Sequence, residues 1–328
     1  MIVIARLTVK ELIRRRVVWV LAILTLVSVG LVGWGLDRIV TLAREGGSEP
    51  LEIEIGVSQV LILIAFMFSF VLAVTAAFVG APAIGGDLES GVAYAILARP
   101  IRRADLLLGR WLGSAVVVAA YAAASGFLAI AVAAFVSGYW PPDPPLAVVF
   151  LVGEALVLLT LTLALGSVMP SIAAGAIAVV GFGLAWMAGV LAGVGTALGV
   201  EALAPIAEAS RWLLPTDGLW RGVIYGLEPS LVALIAAGRA PNLANANPFY
   251  ATTPPPLPFV IWSIVWMALV LGAARWWLDR RELLPGGFDS AAVAEALRQV
   301  VVDESHALHE RVDDGRADEL EPAPLQIR

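Results

Sequence analysis

The 328-residue sequence is 60% hydrophobic and 15% charged, with a mean hydropathy of +0.88; soluble domains are about half apolar and about a quarter charged, so this composition belongs to a chain that lives in lipid. There is no cysteine, which excludes disulfides, thiolate metal sites and a cysteine nucleophile. The net charge of −6 sits in residues 285–328, with ten acids against four arginines, while the rest balances at 17 against 17.

Residues 1–16, "MIVIARLTVKELIRRR", predict a helix. Arg6, Lys10 and Arg14 recur at i, i+4 and i+8, Ile2, Ala5, Val9, Leu12 and Ile13 share another face, and Glu11 precedes Arg15 by four. The pattern suits a helix in the membrane interface with its cations toward anionic headgroups, so membrane lipid is an expected partner. Lys10 is the single lysine, and "ARLTVKEL" is no P-loop; no G-x-G-x-x-G follows a strand either. ATP hydrolysis is not expected of this chain.

A helix needs about 20 apolar residues to cross the hydrocarbon. Six segments qualify: 17–36, 57–81, 111–136, 146–169, 172–196 and 258–278. The fold class is therefore an all-α polytopic membrane protein, with six transmembrane helices and an N-terminal interfacial helix. Trp19, Trp34, Trp111, Trp140, Trp276 and Trp277 fall near predicted ends, where an interfacial belt places them. The first span reads as a span and not as a cleaved leader, because no clean small-x-small site follows it and five more spans do.

The fourth span carries one acid, Glu154 in "FLVGEALVLLT". An ionisable group inside a span is a functional candidate by default; it either bonds a neighbouring helix or faces a substrate. Pro170 makes a tight turn into a fifth span rich in glycine. There Gly189 and Gly193, then Gly195 and Gly199, are spaced for close helix approach, within one chain or across a dimer.

Residues 201–257 are too long for a turn. "TDGLWRGVIYGLEPSLVALIAAG" offers Thr216 or Asp217 as a cap and an apolar stripe through Trp220, Val223, Ile224, Leu227, Leu231 and Leu234, which Pro229 should split. One or two short helices, half buried at the membrane surface, are expected. The tail, 282–328, is acidic and holds a predicted helix from Asp289 or Ser290. His306 and His309 within it lack further ligands, so a solvated acidic helix is expected there and no metal.

Orientation follows from arginine and lysine. Residues 1–16, 82–110 and 275–281 carry twelve, against five in 37–56, 137–145 and 201–257. The excess predicts that both termini and the 82–110 loop are cytoplasmic, in a cell membrane.

That loop, "GGDLESGVAYAILARPIRRADLLLGRW" from Gly85 to Trp111, is a charged island between two spans. "DLESG" offers cap and turn chemistry, "VAYAILARP" a short helix stopped at Pro100, and "IRRADLLLGR" a helix that runs on into the third span. It is either a solvated connection or a short surface helix for a soluble partner. The arrangement resembles the type-2 family of ABC transporter permeases, where the loop reads acid-x-Glu-x-Gly-Thr, a short helix, Leu-x-x-Pro-Ile-Ser/Thr-Arg and then Gly-Lys. Asp87, Glu89, Gly91, Leu97, Pro100, Ile101, Arg103, Gly109 and Arg110 match; Val92, Arg102 and the arginine at 110 depart from it. The resemblance covers about residues 1–284, leaving the tail outside.

The resemblance implies that this loop is a coupling helix on a separate ATPase subunit, with Asp87, Glu89, Gly91, Pro100, Arg102 and Arg103 as coupling residues. It further implies that ATP and Mg are bound by that partner, with no cofactor in this chain. The working unit would pair two ATPases with two permeases, as a homodimer or heterodimer with the first and fifth spans near the seam. Transport would be export by alternating access. Nucleic acid is not an expected partner. An ion-coupled secondary transporter, or a membrane anchor for a soluble enzyme, are the alternatives; a lone intramembrane acid and no visible inverted repeat weigh against the former.

Overall fold

A computed structural model describes residues 1–14, 16–90, 102–200, 204–228, 248–251 and 253–280. Every regular element among them is a helix: α1 Ile2–Arg14, α2 Arg16–Glu45, α3 Pro50–Glu89, α4 Arg103–Ser137, α5 Pro144–Gly166, α6 Ser171–Ala197, α7 Ala204–Leu213, α8 Thr216–Leu227 and α9 Leu257–Arg280. Six of these, α2 to α6 and α9, are long and apolar enough to cross a bilayer. Lipid offers no hydrogen-bond partner, so a spanning backbone must satisfy itself, and helices do that.

The ends follow local chemistry. Gly138 closes α4 with a left-handed φ of 80°, its N–H reaching the Ala134 carbonyl. Asp143 caps α5 by accepting from the Leu146 N–H, with Pro144 in the first turn. Pro170 separates α5 from α6, as the sequence predicts. Of the two expected caps of α8, neither serves: the residue before it is Pro215, and Thr216 is already helical. That helix stops at Glu228, one residue short of Pro229; Leu231 and Leu234, the end of the predicted stripe, lie outside the described residues.

Two spans are longer than hydropathy predicts. α2 continues to Glu45, and α3 runs 40 residues with Pro82 inside it. At 1.5 Å per residue α3 is about 60 Å long, roughly twice the hydrocarbon thickness, so part of it must lie beyond the hydrocarbon. "DLE" at 87–89 therefore lies in the last turn of α3.

The centre of the bundle is the seam between α3 and α5. Small residues close it. A Cβ at Gly80 would meet Leu159 and Thr162 at 3.1 Å, and one at Gly166 would stand 2.5 Å from the Ala81 carbonyl oxygen. Leu61, Leu72, Leu158, Leu159 and Leu163 fill the interior. α2 and α9 lie at the periphery with exposed apolar residues such as Leu31, Trp34, Ile264 and Leu269. One end of the bundle gathers α1, the last turn of α3, the first turns of α4 and α6, and the end of α9. The far end holds α7, α8 and residues 248–251.

Candidate functional site

Segment 91–101, and with it Gly91, Leu97, Pro100 and Ile101, lies outside the described residues. Its two anchors are described, and each is bonded to another helix. Asp87, in the last turn of α3, accepts from Arg110 Nη2 at 2.6 Å, while Nη1 of the same guanidinium donates to Glu11 of α1 at 2.7 Å. A planar guanidinium presents donors on two edges, which lets one arginine hold α1, α3 and α4 together. Arg110 and Asp87 are mostly shielded, at 13% and 17% exposure; Glu11 is 42% exposed.

Glu89 accepts from the Ser171 backbone N–H at 2.6 Å. Ser171 opens α6, and the first N–H groups of a helix lack partners and carry partial positive charge, so a carboxylate fits there. Arg103 does the converse. Its Nη1 donates to the carbonyls of Leu278 and Asp279, at 2.6 and 3.0 Å, in the last described turn of α9. The Met1 amine stands 3.6 Å from Asp105. The Arg102 side chain is exposed.

A second feature of this end escaped the sequence reading. "GRWLG" is itself a small-x-x-x-small repeat, and it seats α1: a Cβ at Gly109 would lie 2.7 Å from Ile4 Cβ, and one at Gly113 would lie 2.6 Å from the Ala5 carbonyl oxygen and from Thr8 Cβ. Ala5, Thr8 and Leu12 are the buried face of α1. The signal was in the sequence; the partner was not, because nothing local pairs residue 5 with residue 113.

Residues 2–283 match the family described as ABC-2 family transporter protein. The chain belongs to the ABC-2 transporter family. No curated protein sequence matched it. Membership makes it a multi-pass transporter permease, the membrane component of a system whose family works, in general, with an ABC ATPase. The loop whose anchors are described above is the one that carries the resemblance.

In this ABC-2 permease the far end is a second polar site. Asp217, in the first turn of α8, is 5% exposed; it accepts from Arg211 at 2.7 Å and lies 3.6 Å from Arg221. Burial pushes the Arg221 guanidinium below its ordinary value. Asp217 abuts Gly189, where a side chain would clash, so that glycine serves packing within the chain. Gly193 and Gly195 are buried, and Gly199 takes a left-handed φ of 72°. Phe66, Trp186, Trp220 and Phe249 form one aromatic cluster, with centroids 4.8 to 6.4 Å apart.

The stripe of α8 is more deeply buried than a surface helix would be: Trp220, Val223, Ile224 and Leu227 are at most 2% exposed. The helix is packed along α5, with Gly222 against Phe150 and Gly226 against Ala147. At its end Tyr139 donates to the Leu227 carbonyl at 2.7 Å, and Glu228 accepts from the Ala251 N–H at 3.1 Å. Burial pushes the Glu228 carboxyl up to about 7, against the opposing pull of that N–H.

Glu154 is 2% exposed and accepts from Ser69 Oγ at 2.8 Å, across the α3–α5 seam. Among the described residues no cluster of three or more His, Asp or Glu side chains is placed to hold a metal, and His306 and His309 lie outside them.

Proposed function

We propose that this chain is the transmembrane subunit of an ABC exporter, driven by a separate ATPase that docks on the segment around residues 91–101. The observation that carries this reading is the way both anchors of that segment are fastened. Asp87 leads through Arg110 to α1 and α4, Glu89 to α6, and Arg103 to α9. A partner that displaces such a segment moves four helices at once, which is what a driven permease requires. ATP and Mg belong to the partner, two permeases and two ATPases make the working unit, and ATP-driven closure of the ATPases opens the spans outward by alternating access. The arginine excess supports a cytoplasmic position for this end.

The test is a pull-down of the tagged chain from its native cells in mild detergent, with mass spectrometry of what accompanies it. A stoichiometric soluble protein bearing a P-loop is expected. Arg102→Glu should release it without altering the melting temperature, since that side chain is exposed. No ATPase in any of several detergents would overturn the reading.

A further inference from the structure

We propose that α9 is a rigid relay between the two ends of the bundle, and that Arg103 is the positioning residue that fastens the loop to it. At the loop end, Arg103 Nη1 donates to the carbonyls of Leu278 and Asp279. These belong to the last described turn of α9. Beneath the bond, Leu107 of α4 packs with Ala274 and Leu278 of α9, Ile84 of α3 and Leu163 of α5, all buried. The first turn of α4 and the last turn of α9 are therefore held by charge-assisted bonds and by an apolar plug, and cannot slide independently.

At the far end the same chemistry recurs with the roles reversed. Trp262 Nε1 of α9 donates to the Trp212 carbonyl at 3.1 Å, and Trp266 Nε1 to the Leu213 carbonyl at 2.8 Å. Those are the terminal carbonyls of α7. The Trp212 ring stands edge-on to Trp262 and Phe259, at 5.3 and 6.5 Å between centroids. The Phe259 ring lies against Gly218 of α8, where no side chain would fit. One element thus grips both short helices of the far end.

Between the two grips α9 runs as unbroken helix, with Gly272 its single glycine. Pro258 is its second residue and no other proline follows in the helix. The stretch from Trp262 to Leu278 is about 24 Å of regular helix, stiff along its axis. α3, by contrast, has Pro82 within two turns of its loop end, where a hydrogen bond is missing and bending is easy. A push on the loop is taken up at Pro82 along one path and delivered to α7 and α8 along the other.

The relay gives the permease reading a route to the far end, but its test needs no ATPase. Hydrogen exchange is followed by mass spectrometry on the full chain in detergent. Arg103→Gln should speed amide exchange in 204–228 about fivefold, the ratio for one lost hydrogen bond. Arg103→Lys should give a smaller change and Arg102→Gln none. Read from the other end, Trp266→Phe keeps an aromatic ring, though a smaller one, and removes the donor, and should speed exchange in 103–110. If Arg103→Gln does not fold, Arg103→Lys and Trp266→Phe decide. Changes confined to the mutated end in these variants overturn the relay and leave the permease reading intact; a pull-down without an ATPase would do the opposite.

Discussion

Arg110 allows a sharp test of how the loop end is held, because its two carboxylates sit in different surroundings. Glu11 is 42% exposed, so water competes for it, and exposed pairs contribute about 0.2–1 kcal/mol. Asp87 is 17% exposed and its partner 13%, closer to the buried case, in which losing one partner costs about 3–5 kcal/mol. Partial burial should bring Asp87→Asn to about 2 kcal/mol, against about 0.5 for Glu11→Gln. Arg110→Met, which takes the shared cation from both carboxylates, should exceed either. With about 2–4 °C of melting temperature per kcal/mol for domains of 150–250 residues, the shifts separate as about 1–2 °C for Glu11→Gln and 4–8 °C for Asp87→Asn. Scans in one detergent at one rate are required, since unfolding here is expected to be irreversible. An equal or larger shift for Glu11→Gln would refute the claim that burial, and not the number of bonds, sets the strength of this clasp.

Gly113→Ala should force α1 away from α4 and lower stability by about 1–3 kcal/mol, visible as faster thiol labelling of a cysteine placed at the buried Leu12; no native cysteine competes. Unchanged labelling would contradict the seating of α1. Glu228 has a raised folded value, so the folded state binds the extra proton and stability falls as pH rises from about 4.5 through about 7, by about 3 kcal/mol in total. Glu228→Gln should lose that fall, and parallel melting curves for the two proteins between pH 5 and 8 would refute it. Glu154→Gln keeps the Ser69 bond and should melt within about 1 kcal/mol of the parent, whereas Glu154→Ala should lose about 2–5 kcal/mol through the cavity and the stranded hydroxyl. Loss of transport in a Glu154→Gln protein of normal stability would give that carboxyl a chemical role.

The six spans were legible because lipid imposes one rule on every one of them, and apolar length reports it. The extensions were not. Residues 82–89 read as loop, with a proline, two glycines and two acids; they stay helical because Arg110 and Ser171 bond the acids there. The bonds that build the loop end join residues 82 and 175 positions apart, which no periodicity can announce. The far-end stripe was readable as amphipathic, but the sequence could not say that α5 would bury it. The glycines of the fifth span, read as a helix-packing or dimer face, include Gly189, which makes room for Asp217.

The family resemblance assigned Asp87, Glu89 and Arg103 to a soluble partner, yet the geometry bonds each to another helix of the bundle. Under the permease reading this separates docking from coupling. A segment that hinged freely at its ends would absorb a partner's displacement in those hinges, and bonded ends pass it on. Docking then depends on exposed groups such as Arg102, and coupling on those bonded to another helix, the exposed Glu89 included. Glu89→Gln and Arg103→Gln should therefore retain the ATPase in a pull-down while lowering the transport obtained per ATP, and Arg102→Glu should lose the ATPase itself. The measurement is one purified complex per variant, assayed for subunit ratio, ATP turnover and flux in the same vesicles. If Glu89→Gln and Arg103→Gln shed the ATPase as readily as Arg102→Glu does, the bonds seen here serve docking, and coupling must run by another path.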